Sequence, residues 1–470
     1  MQRLLLSITV LLFSSLILFS QSEIDGTWDG AIDIMGTELI IIVKFYTDED
    51  QLKATIDIPQ QGAQGLSLTN VHFEHDSVYF ELPAGPGLAV FDGILEGEHI
   101  SGKFTQAGID ATFYLQKADI DYDIVDEEPL PFREENVYIH NDDIKLGCTL
   151  TLPFGDDTFP AVILITGSGG QDRDETIFGF KPFRLLANHL TPHGIAVLRC
   201  DDRGIGESTG NLMESTSEDL AGDVNEMVAY LQCREEIVDR KIGLLGHSEG
   251  GIIAAMVAAQ NNDIAFIISM AGSAVPGRDI LIAQSELIFA EMGIDDAILE
   301  QQIRIINLVY EAAETGEGWD EIEQIIRQLT PAQFETMAHE NQDTFEDVDQ
   351  FVEQYVRGSL AALQSKWYLF FIRHDPSENW RQITQPVLGL FGELDLQVPP
   401  GMNKDAMQEA LEYAGNTDYT LKIIPQANHL FQRAETGSPT EYAQLETEFI
   451  DGFLDILLTW LRETIEARGN

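Results

Sequence analysis

Residues 241–254 read KIGLLGHSEGGIIA: an apolar run, a tight turn with a glycine two residues either side of Ser248, and the start of a small-residue helix. G-x-S-x-G between a strand and a helix is a nucleophile elbow, a strained turn that holds a serine hydroxyl clear of the surrounding backbone. That hydroxyl is a weak nucleophile, so it needs room for a base on one side and backbone donors on the other. Gly246 and Gly250 suit the turn, which tolerates little bulk at those two positions. The pentapeptide alone is a weak signal. A strand before it, a helix after it and partners further along the chain make it the stretch that decides the fold.

Working outward from the elbow, the chain alternates strand and helix from residue 136 onward. Apolar runs at 137–140, 145–152, 161–166, 195–200, 242–246, 264–270, 387–391 and 419–424 read as strands, with helical segments between most of them. The pattern predicts an α/β fold, a doubly wound and mostly parallel sheet covered on both faces. Reactive groups in such a sheet gather at the carboxyl ends of the strands. Residues 274–380 interrupt the alternation with apolar positions at helical spacing: Ile303, Ile306 and Val309; Ile322, Ile325 and Leu329; Phe351, Tyr355, Leu360, Leu363 and Trp367. This interval reads as a helical cap inserted into a core of residues 136–273 and 381–470. Most of its apolar residues should hold the cap together, and a few should line an acyl or alcohol pocket.

A serine nucleophile needs a histidine base, and the base needs an acid to fix its tautomer. Asp395 ends the strand-like PVLGLFGELD, and His429 follows a later strand in TLKIIPQANHLF. Both sit at strand ends, in the order Ser, Asp, His. His247, beside the nucleophile, is read as a local packing or hydrogen-bonding residue, because its neighbour position on the elbow points away. For the oxyanion of a tetrahedral intermediate, the amide of Glu249 supplies one donor. The second should come from TGSGGQDRD after the 161–166 strand, where analogy with the HG-type loop selects Ser168, with Gly169 as the alternative. Thr166 stands where that loop usually has histidine. No G-K-[ST] follows, so the glycines are not a phosphate cradle. The charges of DRGIGES, residues 202–208, read as structural braces near the site. No motif suggests a metal or a cofactor.

The rest of the chain sets bounds. Of 470 residues, 44% are hydrophobic, enough for two or three domains with a sizeable core. There are 27 Lys and Arg against 79 Asp and Glu, a formal net charge of −52. So acidic a surface repels nucleic acid and anionic lipid and suggests a solvated, salt-tolerant exterior. Residues 1–22 carry Arg3, an apolar run and the small-residue close Ser20-Gln21-Ser22, which read as a secretory signal peptide with a secreted or periplasmic destination, an uncleaved membrane anchor being the alternative. No membrane association is expected once it is cleaved. Residues 23–117 show period-two runs at 38–46, 52–58, 77–82, 89–95, 99–105 and 111–115, so they read as an antiparallel β domain, barrel or sandwich. Its interior is read as filled, although a small apolar ligand is the alternative. His72, His75 and His99 lack ligand spacing and read as surface or cross-strand residues. Residues 118–135 are acidic, contain two prolines and read as a linker. Cys148, Cys200 and Cys233 are too scattered for a disulfide framework; Cys200 reads as a small buried apolar residue, and which pair could bridge is left open.

The stretches ITGSGGQDRDE, CDDRGIGES, GLLGHSEGG, YLFFIRHDP, PVLGLFGELDLQVPP and ANHLFQ together resemble the α/β-hydrolase superfamily. More narrowly, they are similar to bacterial secreted esterases related to prolyl-oligopeptidase-like and serine-aminopeptidase-like hydrolases. The resemblance runs from about residue 136 to the C-terminus. It implies a triad of Ser248, Asp395 and His429, no cofactor, and a small-molecule ester of a short acyl chain as substrate. Thioesters or peptides are the other substrates it allows. Outside enzymes, the alternative is a ligand-binding protein on a hydrolase scaffold that no longer turns over.

Overall fold

The computed structural model describes residues 24–34, 37–48, 51–58, 63–84, 87–106, 109–118, 130–340 and 348–467. The expected signal peptide and residues 119–129 of the expected linker lie outside them. Among the described residues no helix is long and apolar enough to cross a membrane.

The N-terminal strands are β1 (Gly26–Ile34), β2 (Thr37–Asp48), β3 (Gln51–Ile58), β4 (Ala63–Ser67), β5 (Thr69–Glu74), β6 (Ser77–Ala84), β7 (Gly87–Glu96), β8 (His99–Gln106) and β9 (Ile109–Lys117). They form one antiparallel sheet in the order β4-β3-β2-β1-β9-β8-β7-β6-β5. Its ends meet where Leu68, between β4 and β5, donates its N–H to the Ala54 carbonyl of β3 at 2.9 Å. The domain is therefore a sheet closing on itself, which resolves the choice between barrel and sandwich. Alternation turns Trp28, Phe45, Phe80, Phe91, Phe104 and Phe113 inward. Phe91 stacks on Phe80 at 4.5 Å and meets Phe104 and Phe113 edge-on at 5.0 and 5.2 Å. Offset and edge-to-face rings pack well together, so aromatic side chains occupy the interior. His72, His75 and His99 are exposed.

The second sheet comprises β10 (Phe132–Asn141), β11 (Ile144–Pro153), β12 (Phe159–Ile165), β13 (Ala196–Cys200), β14 (Ile237–His247), β15 (Ile267–Met270), β16 (Val387–Gly392) and β17 (Tyr419–Ile424). Their order is β10-β11-β13-β12-β14-β15-β16-β17, with β11 antiparallel to both neighbours and every pair from β13 to β17 parallel. The parallel strands inside the sheet are buried on both faces, which explains their unbroken apolar runs, whereas the edge strand β17 is only partly covered.

Two expectations need correction. β10 begins inside the expected linker, because Phe132 is buried and pairs with Pro153, while Glu134 reaches Arg184 and Arg199. Cys200 is not merely a packing residue: it forms a disulfide with Cys148. The two sit directly opposite in the antiparallel β11–β13 register, a proximity that a separation of 52 residues conceals.

The inserted cap is helical, as expected, with helices Gly277–Glu291, Asp296–Thr315, Trp319–Glu340, Val348–Leu363, Lys366–Phe371 and Ser377–Trp380. Ile306, Val309, Ile322, Ile325 and Val356 belong to an apolar cluster of the cap's own.

Candidate active site

Strand β14 ends at His247, and the helix Glu249–Gln260 begins immediately after Ser248. Ser248 has φ 54° and ψ −117°, a backbone conformation that few side-chain-bearing residues adopt. Its N–H donates to the Met270 carbonyl at 2.8 Å, anchoring the turn to β15. A Cβ on Gly246 would overlap the Gly250 carbonyl, and one on Gly250 would overlap the Ile165 carbonyl. The two glycines are thus required by close approach of backbone to backbone.

Asp395 lies just beyond β16 and His429 beyond β17. His429 Nδ1 is 2.8 Å from Asp395 Oδ2, and both side chains are buried. Asp395 Oδ1 accepts the N–H groups of Gln397 and Val398, each at 2.8 Å, so the carboxylate is held from both sides. Ser248 and His429 line one cavity of about 330 Å³. The three residues expected from sequence are therefore brought to one place, across 147 and 34 residues of chain as 395 − 248 and 429 − 395.

His247 is the competing base on sequence grounds, and its bonds decide against that role. Its Nδ1 is 2.8 Å from Glu175 Oε1, and its Nε2 is 3.0 Å from the backbone carbonyl of His429. With both nitrogens engaged, the ring has none left for a serine proton. Burial pulls its pKa down, but the Glu175 carboxylate, the His429 carbonyl and the Asp395 charge together hold it above the ordinary imidazole value.

The loop after β12 forms the other wall. A Cβ on Gly167 would lie 3.3 Å from Ser248 Cβ, so this backbone passes directly against Ser248. The Gly167 N–H is taken by Glu175 Oε1 at 2.7 Å. Ser168 is next along and lines the cavity, as does Gly170. Glu249 opens its helix, where the first amides have no intrahelical acceptor and the dipole is positive. Its side chain turns away: it accepts from Ser217 Oγ at 2.5 Å and from Trp367 Nε1 of the cap, 2.9 Å from each oxygen.

The DDRGIGES charges are braces, as the sequence suggested. Asp201 accepts Arg173 at 2.6 Å, and Arg203 donates to Asp223 at 2.6 Å. Asp202 accepts from Thr166 Oγ1 at 2.6 Å and from the Gln171 N–H at 2.8 Å, holding the glycine loop from behind. Burial raises the Asp202 carboxyl well above its usual range, against those two bonds.

The expectation that cap residues line the pocket is not met. Among the described residues, the apolar walls of the cavity are Ile177, Phe178, Leu430, Pro439 and Tyr442, from the loops after β12 and β17. The cap touches the nucleophile's helix instead, through Trp367. Sequence reasoning also missed Glu175, a buried residue with φ 54°, whose only signal was its place in the loop it braces. Among the described residues no group of three or more His, Cys, Asp or Glu is placed to hold a metal ion.

A mostly parallel sheet with one antiparallel strand, an elbow after its central strand, and an Asp–His pair at later strand ends define an α/β-hydrolase. A family model described as serine aminopeptidase, S33, matches residues 181–293, which include the elbow. Esterase EstD of Thermotoga maritima is 23% identical over 431 residues, covering 88% of this chain and 91% of that protein. Among solved structures, the Pyrococcus furiosus esterase Pf2001 is 15% identical with a TM-score of 0.43, over 72% of this chain and 92% of that one. Est1E from Butyrivibrio proteoclasticus, solved with ferulic acid bound, is 20% identical with a TM-score of 0.40, over 70% of this chain and 98% of that one. The fold is that of the α/β-hydrolases, and residues 181–293 are similar to the serine-aminopeptidase family.

Proposed function

We propose that the protein is a serine carboxylesterase acting on short acyl esters. Ser248 Oγ attacks the ester carbonyl while His429 Nε2 takes its proton. Asp395 holds the His429 Nδ1–H and stabilises the imidazolium that forms. The oxyanion rests on the amides of Glu249 and Ser168. Gly167 is excluded as a donor because Glu175 occupies its N–H, and Ser168 rather than Gly169 faces the cavity. The alcohol leaves with the proton carried by His429, and water, activated by the same histidine, releases the acid from the acyl-enzyme.

One observation carries this reading: His429, fixed by Asp395 at 2.8 Å, shares a cavity with Ser248, while both nitrogens of His247 are engaged elsewhere. The ester preference draws on the similarity to esterase EstD. A volume of about 330 Å³ is at the small end of ligand pockets, which supports a short acyl group. Export is part of the proposal: residues 1–22 act as a cleaved leader, and the Cys148–Cys200 disulfide suits an oxidising destination.

The test is hydrolysis of p-nitrophenyl esters from acetate to octanoate by the wild type and Ser248→Ala. The variant should lose several orders of magnitude in kcat, since the triad works as a unit. Equal turnover by both proteins would remove Ser248 from the mechanism. Turnover of aminoacyl anilides but of no ester would move the assignment to a peptidase.

A further inference from the structure

The elbow carries a second histidine that the steps above do not use. His247 is 3% exposed and Glu175 is 1% exposed, so their pairing is sealed from water. Glu175 Oε1 accepts two bonds at once, from His247 Nδ1 at 2.8 Å and from the Gly167 N–H at 2.7 Å. The other ring nitrogen of His247 donates to the backbone carbonyl of His429 at 3.0 Å. A carboxylate and a carbonyl both only accept, so both ring nitrogens carry hydrogen and the ring is an imidazolium. The partners lie 72 and 182 residues away from His247 in sequence, on opposite sides of Ser248.

We propose that Glu175 and His247 are positioning residues: a buried ionic strut that holds the oxyanion loop at Gly167 and the backbone of His429 at fixed places either side of Ser248. The inference rests on Ser248, His429 and Asp395 being the triad. Glu175 sets the loop in which Ser168 must present its amide, and His247 sets the segment from which His429 reaches the serine. Displacement of about 1 Å at such points costs catalysis far more than binding.

The strut has a pH signature. His247 is faced by Glu175 from the loop after β12, by Asp395 from beyond β16, and by the His429 ring at 4.7 Å from beyond β17. When the ring loses a proton, one of its two bonds must break. The strut is therefore whole below the raised pKa of His247 and lost as pH rises through it, so kcat should fall on the alkaline side.

The experiment measures kcat and KM for p-nitrophenyl butyrate between about pH 5 and 10, with active sites counted by burst titration and folding checked by circular dichroism. It compares the wild type with Glu175→Gln, His247→Gln, the double variant and Ser248→Ala. The amide oxygen of Glu175→Gln can still accept both bonds at the Oε1 place, so this variant acts through charge: without the carboxylate His247 gives up a proton and with it one of its two bonds. Each single variant should lose roughly 10- to 100-fold in kcat per active site, with KM within about twofold. The double variant should be no worse than the poorer single, and the alkaline limb should vanish in all three. If Glu175→Gln does not fold, His247→Gln alone reads the limb. Single variants within twofold of wild-type kcat, or a loss explained by fewer active sites with the limb unchanged, would overturn the strut. Activity remaining in Ser248→Ala would instead overturn the triad beneath it.

Discussion

Asp395→Asn separates orientation of the base from every other feature of the site. Asp395 Oδ1 takes two backbone N–H groups, from Gln397 and Val398, while Oδ2 faces His429 Nδ1. An asparagine has one acceptor oxygen, and the two backbone donors compel it to take the Oδ1 place. Its NH2 then points at His429 Nδ1, which must become an acceptor. The one remaining ring proton moves to Nε2, the atom that has to be bare to receive the proton of Ser248. Geometry is kept and the tautomer is wrong. The expected loss is about 10⁴-fold in kcat, equivalent to roughly 5 kcal/mol in the barrier. Stability should change by less than about 1 kcal/mol, because every bond at the position keeps a partner. Steady-state ester hydrolysis normalised to titrated active sites, with urea unfolding in parallel, measures both quantities. A folded Asp395→Asn protein retaining more than a tenth of wild-type kcat would refute the tautomer argument.

Three other perturbations probe separate parts of the structure. Gly246→Ala puts a methyl group onto the Gly250 carbonyl and should destabilise by about 1–3 kcal/mol while abolishing turnover; an active, equally stable variant would mean the elbow is looser than described. Burial raises the Glu249 carboxyl above its unfolded value of 4.5, against the bonds from Ser217 and Trp367. Its contribution is therefore whole below the unfolded value and lost as pH rises through the native one, so Glu249→Gln should gain on the wild type in urea unfolding as pH rises from about 4 to 8. A constant difference would contradict that sign. Phe91→Ala opens the aromatic interior of the N-terminal domain at about 3–5 kcal/mol, so hydrogen exchange should speed up across residues 24–118 while ester turnover per active site stays unchanged.

The core sheet was legible because its strands announce themselves. Burial on both faces demands runs such as VILI at 162–165 and LGLF at 388–391, which hydrophobic patterning finds readily. The proposed triad was legible for a related reason: Ser248, Asp395 and His429 sit just beyond the ends of those runs. The first barrel strand escaped because packing overrides propensity there. GTWDGAIDI carries Gly30 where any Cβ would overlap the Tyr114 carbonyl, so the residue that spoils the strand pattern is the one the strand requires. Glu175 and the cysteine pair escaped for another reason. Each acquires its meaning from a partner that only the fold brings near, and no local pattern records an oxygen serving two donors or a cross-strand register.

The disulfide has a bearing on how the site is assembled. Cys148 and Cys200 close a loop of 52 residues that contains Gly167, Ser168 and Glu175, whereas Ser248, Asp395 and His429 all lie beyond it. Closing a loop of that length removes about 4 kcal/mol of unfolded-chain freedom in the chain-entropy account. A chain delivered N-terminus first presents both cysteines before the elbow exists. In an oxidising compartment the loop that carries Ser168, one of the two proposed oxyanion donors, is thereby cyclised early, as a frame awaiting the elbow and the Asp395–His429 pair. Reduction would release that frame while leaving the Asp395–His429 half covalently untouched.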